Sequence, residues 1–185
     1  MKNTNWKLPL IIGVVVIAFI VLCVFGIQSS QNKAFSMEEQ VLSAKADVTV
    51  QEKRRAELIP NLVDCVKAYD EHEYNTLTEV IEARGTNSDA VAEEIKTMIN
   101  AVSEAYPELK SNENYKQLMN ELSITENLIA EYRENYNKQV EDYRQYVRKF
   151  PTRMYLNLLG YEVQDYTRLD YGDTYSEAPS DLFGE

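Results

Sequence analysis

Glycine, proline, cysteine and histidine are all scarce in this chain, and each shortage removes a class of answer. Of six glycines only Gly85 lies between Ala34 and Phe150, so there is no glycine-rich phosphate loop and no G-x-S-x-G elbow. Prolines interrupt the same stretch only at Pro60 and Pro107, which leaves room for long helices. The two cysteines, Cys23 and Cys65, cannot build a disulfide framework and form no Cys-x-x-Cys pair. Cys65 reads as a small core hydrophobe. The single histidine, His72, stands beside Glu73, but the position four residues on is Thr76. The second histidine of a helical zinc site is therefore missing, and no metal, cofactor or catalytic residue is assigned.

Acid, by contrast, is abundant. Thirty Asp and Glu oppose nineteen Lys and Arg, a net charge of −11. A surface of that sign repels phosphate backbones, which argues against nucleic acid as a partner. Leu8 to Ile27 (LPLIIGVVVIAFIVLCVFGI) carries no charge at all. At about 1.5 Å per residue its twenty residues span about 30 Å, the hydrocarbon thickness of a bilayer. The run exceeds the apolar region of a cleaved signal and lacks a good small-x-small exit. It is expected to remain as a transmembrane helix with the lipid bilayer as partner. Lys2 and Lys7 precede it and Lys33 follows, so the positive-inside bias favours a cytoplasmic N-terminus.

After a short N-terminal flank (1–7), the span (8–27) and a linker (28–33), apolar residues recur at threes and fours from 34 to 150, predicting an all-α fold. A first helix carries Val41, Ala44 and Val48 toward Leu58, and Pro60 should kink or restart it. A core helix then presents Leu62, Val63, Val66, Tyr69, Leu77, Val80 and Ile81 and stops near Arg84-Gly85. A third begins at Ser88 or Asp89 and ends before Pro107. The longest, capped by Asn112 or Asn114, repeats Tyr115, Leu118, Leu122, Thr125, Ile129, Tyr132, Tyr136, Val140, Tyr143 and Val147 near a period of 3.5, the coiled-coil signature. Asn61, Asn127 and Asn137 are expected to satisfy backbone groups or fix register. The expected architecture is an N-terminal transmembrane helix followed by an up-and-down bundle of about four long antiparallel helices. An apolar clip (151–163) follows, and the acidic, Tyr-rich tail (164–185) should be disordered.

Three stretches are specific enough to compare with known proteins. KRRAELIPNLVDCVKAYDEHE (Lys53 to Glu73), AYPELKSNENYKQLMNEL (Ala105 to Leu122) and TENLIAEYRENYNKQVEDY (Thr125 to Tyr143) resemble the bacterial LemA family. With the N-terminal span and Phe150-Pro151 the likeness runs from Leu8 to Pro151; the tail after Gly160 is matched to nothing. The resemblance implies a single-pass, membrane-anchored helical bundle of the bacterial cytoplasmic membrane and supplies no catalytic activity.

Two functions of different kinds follow. The first is a non-enzymatic structural or interaction protein of the bacterial envelope, whose bundle self-assembles into a homo-oligomer or docks a partner, in membrane organisation or remodelling. The basic triplet Lys53, Arg54 and Arg55 is its candidate contact for an acidic partner, set against a purely structural role balancing Glu52 and Glu57. The second is an adaptor whose tail recruits another envelope protein, such as a protease or transporter, through Tyr166, Tyr171, Tyr175, Leu182 and Phe183. Carboxylates of the long helix, Glu126, Glu131 and Glu134 among them, read as a solvated face paired with Arg133, Lys138, Arg144 and Arg148.

Overall fold

The computed structural model describes residues 7–86 and 88–169. Among the described residues every regular element is a helix: α1 (Lys7–Lys67), α2 (Glu71–Arg84), α3 (Asp89–Ala105), α4 (Pro107–Ser111), α5 (Glu113–Arg148) and α6 (Thr152–Leu158). The all-α expectation is met. Its subdivision is different, because α1 runs through both the anticipated linker at 28–33 and Pro60 without a break.

The interruption falls ten residues later, at Asp70. This residue is extended (φ −148°, ψ 104°), and its Oδ1 accepts the amides of His72 and Glu73, each at 3.0 Å. An aspartate in that role satisfies two of the donors that a helix start leaves unpaired and places negative charge at the positive end of the helix dipole. At the other end of α2, Gly85 adopts φ 72°, a conformation that costs glycine little and other residues more. Ser88 occupies the N-cap of α3 without a side-chain cap bond. Pro107 starts α4, where its missing N–H is no loss. Asn112 caps α5, its Oδ1 accepting from the amides of Asn114 (2.9 Å) and Tyr115 (3.1 Å).

The chain divides into two compact units. Among the described residues, one comprises 44–137 with Arg168 and Leu169; the other comprises 7–43 with 138–167. In the first, Leu58, Ile59, Leu62, Val63 and Val66 of α1 share a core with Leu77, with Ile95, Ile99 and Val102 of α3, and with Leu109, Tyr115 and Leu122. Pairings of Arg54 with Glu121 and of Cys65 with Asn114 show α1 and α5 running antiparallel there. In the second unit, Ala34, Val41, Val140, Tyr143, Val147 and Leu156 are buried. The Tyr146 hydroxyl donates to the Ser30 carbonyl (3.3 Å), and the Tyr143 hydroxyl to Glu38 (3.2 Å). Along α5 the buried Tyr115, Leu122, Ile129, Tyr136 and Tyr143 fall seven residues apart, as the apolar repeat requires.

Residues 164–169, where the sequence argues for disorder, are held on α5. The Gln164 amide donates to the Tyr143 hydroxyl (3.0 Å), and Arg144 Nη2 donates to the Tyr166 carbonyl (2.6 Å) and to Asp165 (2.9 Å). Composition had suggested a segment unable to bury surface; what holds it is hydrogen bonding to polar groups of a helix already formed. The rest of the tail lies outside the described residues.

Candidate functional site

Of the basic triplet, the structure separates what the sequence placed together. Lys53 is exposed, with Nζ 3.9 Å from Glu57 one turn on. Arg54 pairs with Glu121 of α5. Arg55, 1% exposed, points into the protein. Only Lys53 and Arg54 are left at the surface, so the three do not make one patch for an acidic partner.

Arg55 is instead part of an ionic cluster that ties α1, α3 and α5. Asp89, first residue of α3, receives Arg133 of α5 in a two-pronged contact: Nη1 to Oδ2 at 2.6 Å and Nη2 to Oδ1 at 3.1 Å. Arg55 Nη1 donates to the same Oδ1 at 2.7 Å and lies 3.5 Å from Glu126 Oε2. Arg133 Nη2 also donates to Glu52 of α1 at 2.6 Å. Burial alone would raise the Asp89 carboxyl; hydrogen bonds from Arg133 and Arg55 outweigh it and hold the group below the usual carboxylate range. The bond to Asp89 likewise pushes the Arg133 guanidinium up, against the effect of burial. A guanidinium pushed up and a carboxylate that gains a proton only in acid are unsuited to proton transfer near neutral pH. The arrangement suits fastening three helices at one point.

The sequence contains a signal for this cluster. Arg55 falls on the stripe Val41, Val48, Ile59, Leu62, Val66, at a position where an apolar residue is due. A charge in phase with a buried stripe announces a buried ion pair, since it otherwise leaves an unpaired charge in the interior.

Two further polar places bear on chemistry. A cleft of about 530 Å³ is lined by Asn61, Asp64, Cys65, Tyr69, Asn112 and Asn114. Its thiol is pushed up by burial, which outweighs the hydrogen bond from Asn114, the opposite of what an activated nucleophile needs. Asp70, after capping α2, accepts the Tyr106 hydroxyl at 3.0 Å through Oδ2. The Glu73 amide and then the Tyr106 hydroxyl keep its carboxyl low, so it is a stable anion and not a base near neutral pH. His72 sits in the first turn of that helix. Among the described residues no three His, Cys, Asp or Glu side chains converge as a metal would need.

Of the tail residues, Tyr166 packs edge-on against Tyr143, with ring centroids 5.4 Å apart. Its ring is half-buried on α5. Tyr171, Tyr175, Leu182 and Phe183 lie outside the described residues. Asn61 donates to the Glu57 carbonyl at 3.0 Å, and Asn137 pairs with the backbone of Leu169; Asn127 is exposed.

Residues 44–180 match the sequence pattern of the LemA family. The chain belongs to the LemA family. Protein LemA of Metamycoplasma hominis is 25% identical over 119 residues, which make up 58% of this chain and 54% of that protein. The chain thus spans about half the length of that relative. The family match starts after the apolar span and passes beyond Gly160 through most of the tail, so the LemA-like region includes most of the acidic segment after Gly160. The Asp89 cluster lies wholly within it.

Proposed function

We propose that this LemA-family chain is a non-enzymatic, single-pass protein of the bacterial cytoplasmic membrane, and that its helical bundle serves self-assembly or the docking of another envelope protein. The observation that carries the reading is α1 itself. One helix holds both the exposed apolar side chains from Leu10 to Phe25 and the buried core residues from Val41 to Val66. Each large apolar side chain left in water forgoes about 1.5–3 kcal/mol, and more than a dozen stand in succession over 10–25. A bilayer core is the environment that accepts such a run, and its length suits one crossing.

Support for a structural role comes from how the charged groups are used. The strongest polar constellation joins helices and leaves no acid–base pair poised near neutral pH. The remaining surface is helical and acidic, apt for contacts with a protein and poor for nucleic acid. The N-terminus is proposed to face the cytoplasm, on the lysine bias alone.

Crosslinking of the full-length protein in cells, with mass measurement of the detergent-solubilised chain, tests the proposal. A defined oligomer or a reproducible crosslinked envelope protein is expected. A chain that is monomeric and traps nothing overturns it. Digestion of the C-terminal region by protease added to intact right-side-out vesicles is expected; protection reverses the orientation.

A further inference from the structure

The net charge of −11 hides a division of labour along the chain. No Asp or Glu occurs before Glu38, and none between Asp142 and Glu162, although thirty are present in all. The second acid-free stretch contains Arg144, Arg148, Lys149 and Arg153. Both stretches fall in the same compact unit, and the fold brings them into contact. An aromatic carbon of Tyr155 lies 3.8 Å from where a Cβ on Gly26 would stand. The ammonium groups of Lys33 and Lys149 both sit over the Tyr146 ring, 5.3 and 5.8 Å from its centroid. Gly26 belongs to the last turn of the apolar span, so α6 lies beside the end of that span.

α6 buries one side in the protein and leaves large apolar side chains on the side turned away from it. Thr152 and Leu156, four apart, are buried. Met154 and Leu158 on the other side of α6, with Phe150 just before the helix, form an outward ridge that is 54%, 73% and 81% exposed. Met154 and Leu158, four apart, share a face of α6, and Phe150, in the turn before the helix, lines one cleft with Met154, Arg148, Arg153 and Asn157. A water-facing helix would carry polar residues on the outward row. An apolar ridge flanked by cations is what a headgroup layer receives: the ridge enters the acyl boundary while long basic side chains reach anionic phosphates.

We propose that the segment from Arg148 to Leu158 is a second membrane contact, a foot in which Phe150, Met154 and Leu158 enter the interface of the bilayer that holds the span, with Arg148, Lys149 and Arg153 on anionic headgroups. The overall acidity does not oppose this, because the acidic residues are absent from the two stretches concerned. Tyr146 and Tyr155, an amphipathic pair beside the span, suit the same depth. The foot rests on the reading of 8–27 as a lipid-embedded anchor, and the test separates the two.

The sequence has one tryptophan, Trp6. In a Trp6→Phe background, Phe150→Trp and, separately, Leu158→Trp each place a single reporter at an exposed position. Each is reconstituted in vesicles of phosphatidylcholine with phosphatidylglycerol, using lipids brominated at shallow or deep acyl positions. Phe19→Trp in the same background reports the anchor. The foot predicts blue-shifted emission from positions 150 and 158 and loss of most of it to shallow bromines, consistent with burial of about 5–10 Å. Glutamine at Arg148, Lys149 and Arg153 together should weaken that quenching. Water-like emission at 150 and 158 with position 19 quenched by deep bromines overturns the foot and leaves the anchor intact. Blue-shifted but unquenched emission means that protein covers the ridge, which also overturns it. Absence of quenching at position 19 overturns the anchor itself.

Discussion

Thr86, in the turn between α2 and α3, donates its hydroxyl to the Ala56 carbonyl at 3.4 Å, and that carbonyl is the one that Pro60, four residues on, has no N–H to fill. The bond is long, yet it joins a buried threonine to the acceptor in α1 that the proline leaves open. α1 therefore continues through Pro60 where the sequence predicts a kink or restart.

The Thr86–Ala56 bond makes a double-mutant prediction. Thr86→Val should lower stability by about 1 kcal/mol, the usual worth of a neutral hydrogen bond. Pro60→Ala should raise it by up to about 3 kcal/mol, because position 60 is exposed and an interior proline costs a helix roughly that much. In the Pro60→Ala background the alanine amide supplies the donor, so Thr86→Val should cost less. Thermal unfolding of the four proteins measures the coupling; additive effects would dissociate Thr86 from the proline.

Removing Asp89 should be the most damaging surface-accessible substitution in the 44–137 unit. Arg55 and Arg133 would lose their shared carboxylate, and the buried Arg55 would keep the longer 3.5 Å contact to Glu126 in place of the 2.7 Å bond to Asp89. Breaking a buried pair from one side costs about 3–5 kcal/mol. The low end applies, about 3 kcal/mol, since Asp89 is itself partly open to solvent. Arg55→Met should cost less than Asp89→Ala, because the carboxylate keeps Arg133 and a hydrophobe takes the buried place. Denaturant midpoints decide the order, and the reverse ranking refutes the account.

Acid should weaken the fold through Asp89 and Asp70. Both carboxyls lie lower in the folded protein than their ordinary value, which is about 3.9 for aspartate. A lowered carboxyl contributes stability that is complete above its unfolded pKa and disappears as pH falls through its folded pKa. Melting temperature should therefore be insensitive to these two groups from pH 7 to about 5 and fall below about 4. Asp70→Asn keeps a good N-cap and should reduce the acid loss with little change at neutral pH. An acid limb in both Asp70→Asn and Asp89→Asn that is unchanged from the unsubstituted protein would place the effect elsewhere.

Much of this fold was legible because helix cores are periodic. The sevenfold recurrence from Tyr115 to Tyr143 marks the buried face of α5 from spacing alone, and Asn112 and Gly85 mark helix ends by local chemistry. What the sequence concealed were exceptions decided by distant partners. Asp70 reads as one acid among many until its amides and Tyr106 are seen together. Pro60 reads as a stop because its compensating hydroxyl lies 26 residues away. Arg55 reads as one member of a surface triplet, although its phase on the α1 stripe already separates it from Lys53 and Arg54. The ridge of Phe150, Met154 and Leu158 was visible as apolar sequence, but only the fold distinguishes its outward row from the buried Thr152 and Leu156.

The segment ending at Leu169 provides a test of how backbone pairing replaces apolar burial. Asn137 Nδ2 donates to the Leu169 carbonyl at 2.7 Å, and the Leu169 amide donates to Asn137 Oδ1 at 2.8 Å. One side-chain amide thereby satisfies both backbone groups of a residue, as a neighbouring strand would. Leucine at position 137 keeps the volume and removes both bonds, and each is worth about 1 kcal/mol. Hydrogen exchange should accelerate in the peptide containing Leu169 and stay unchanged in α5, whose own ladder does not involve the Asn137 side chain. Asn137→Asp should give an intermediate result, since it retains the acceptor for the Leu169 amide and presents an oxygen to its carbonyl. Exchange at Leu169 that ignores both substitutions would mean that other contacts hold the segment.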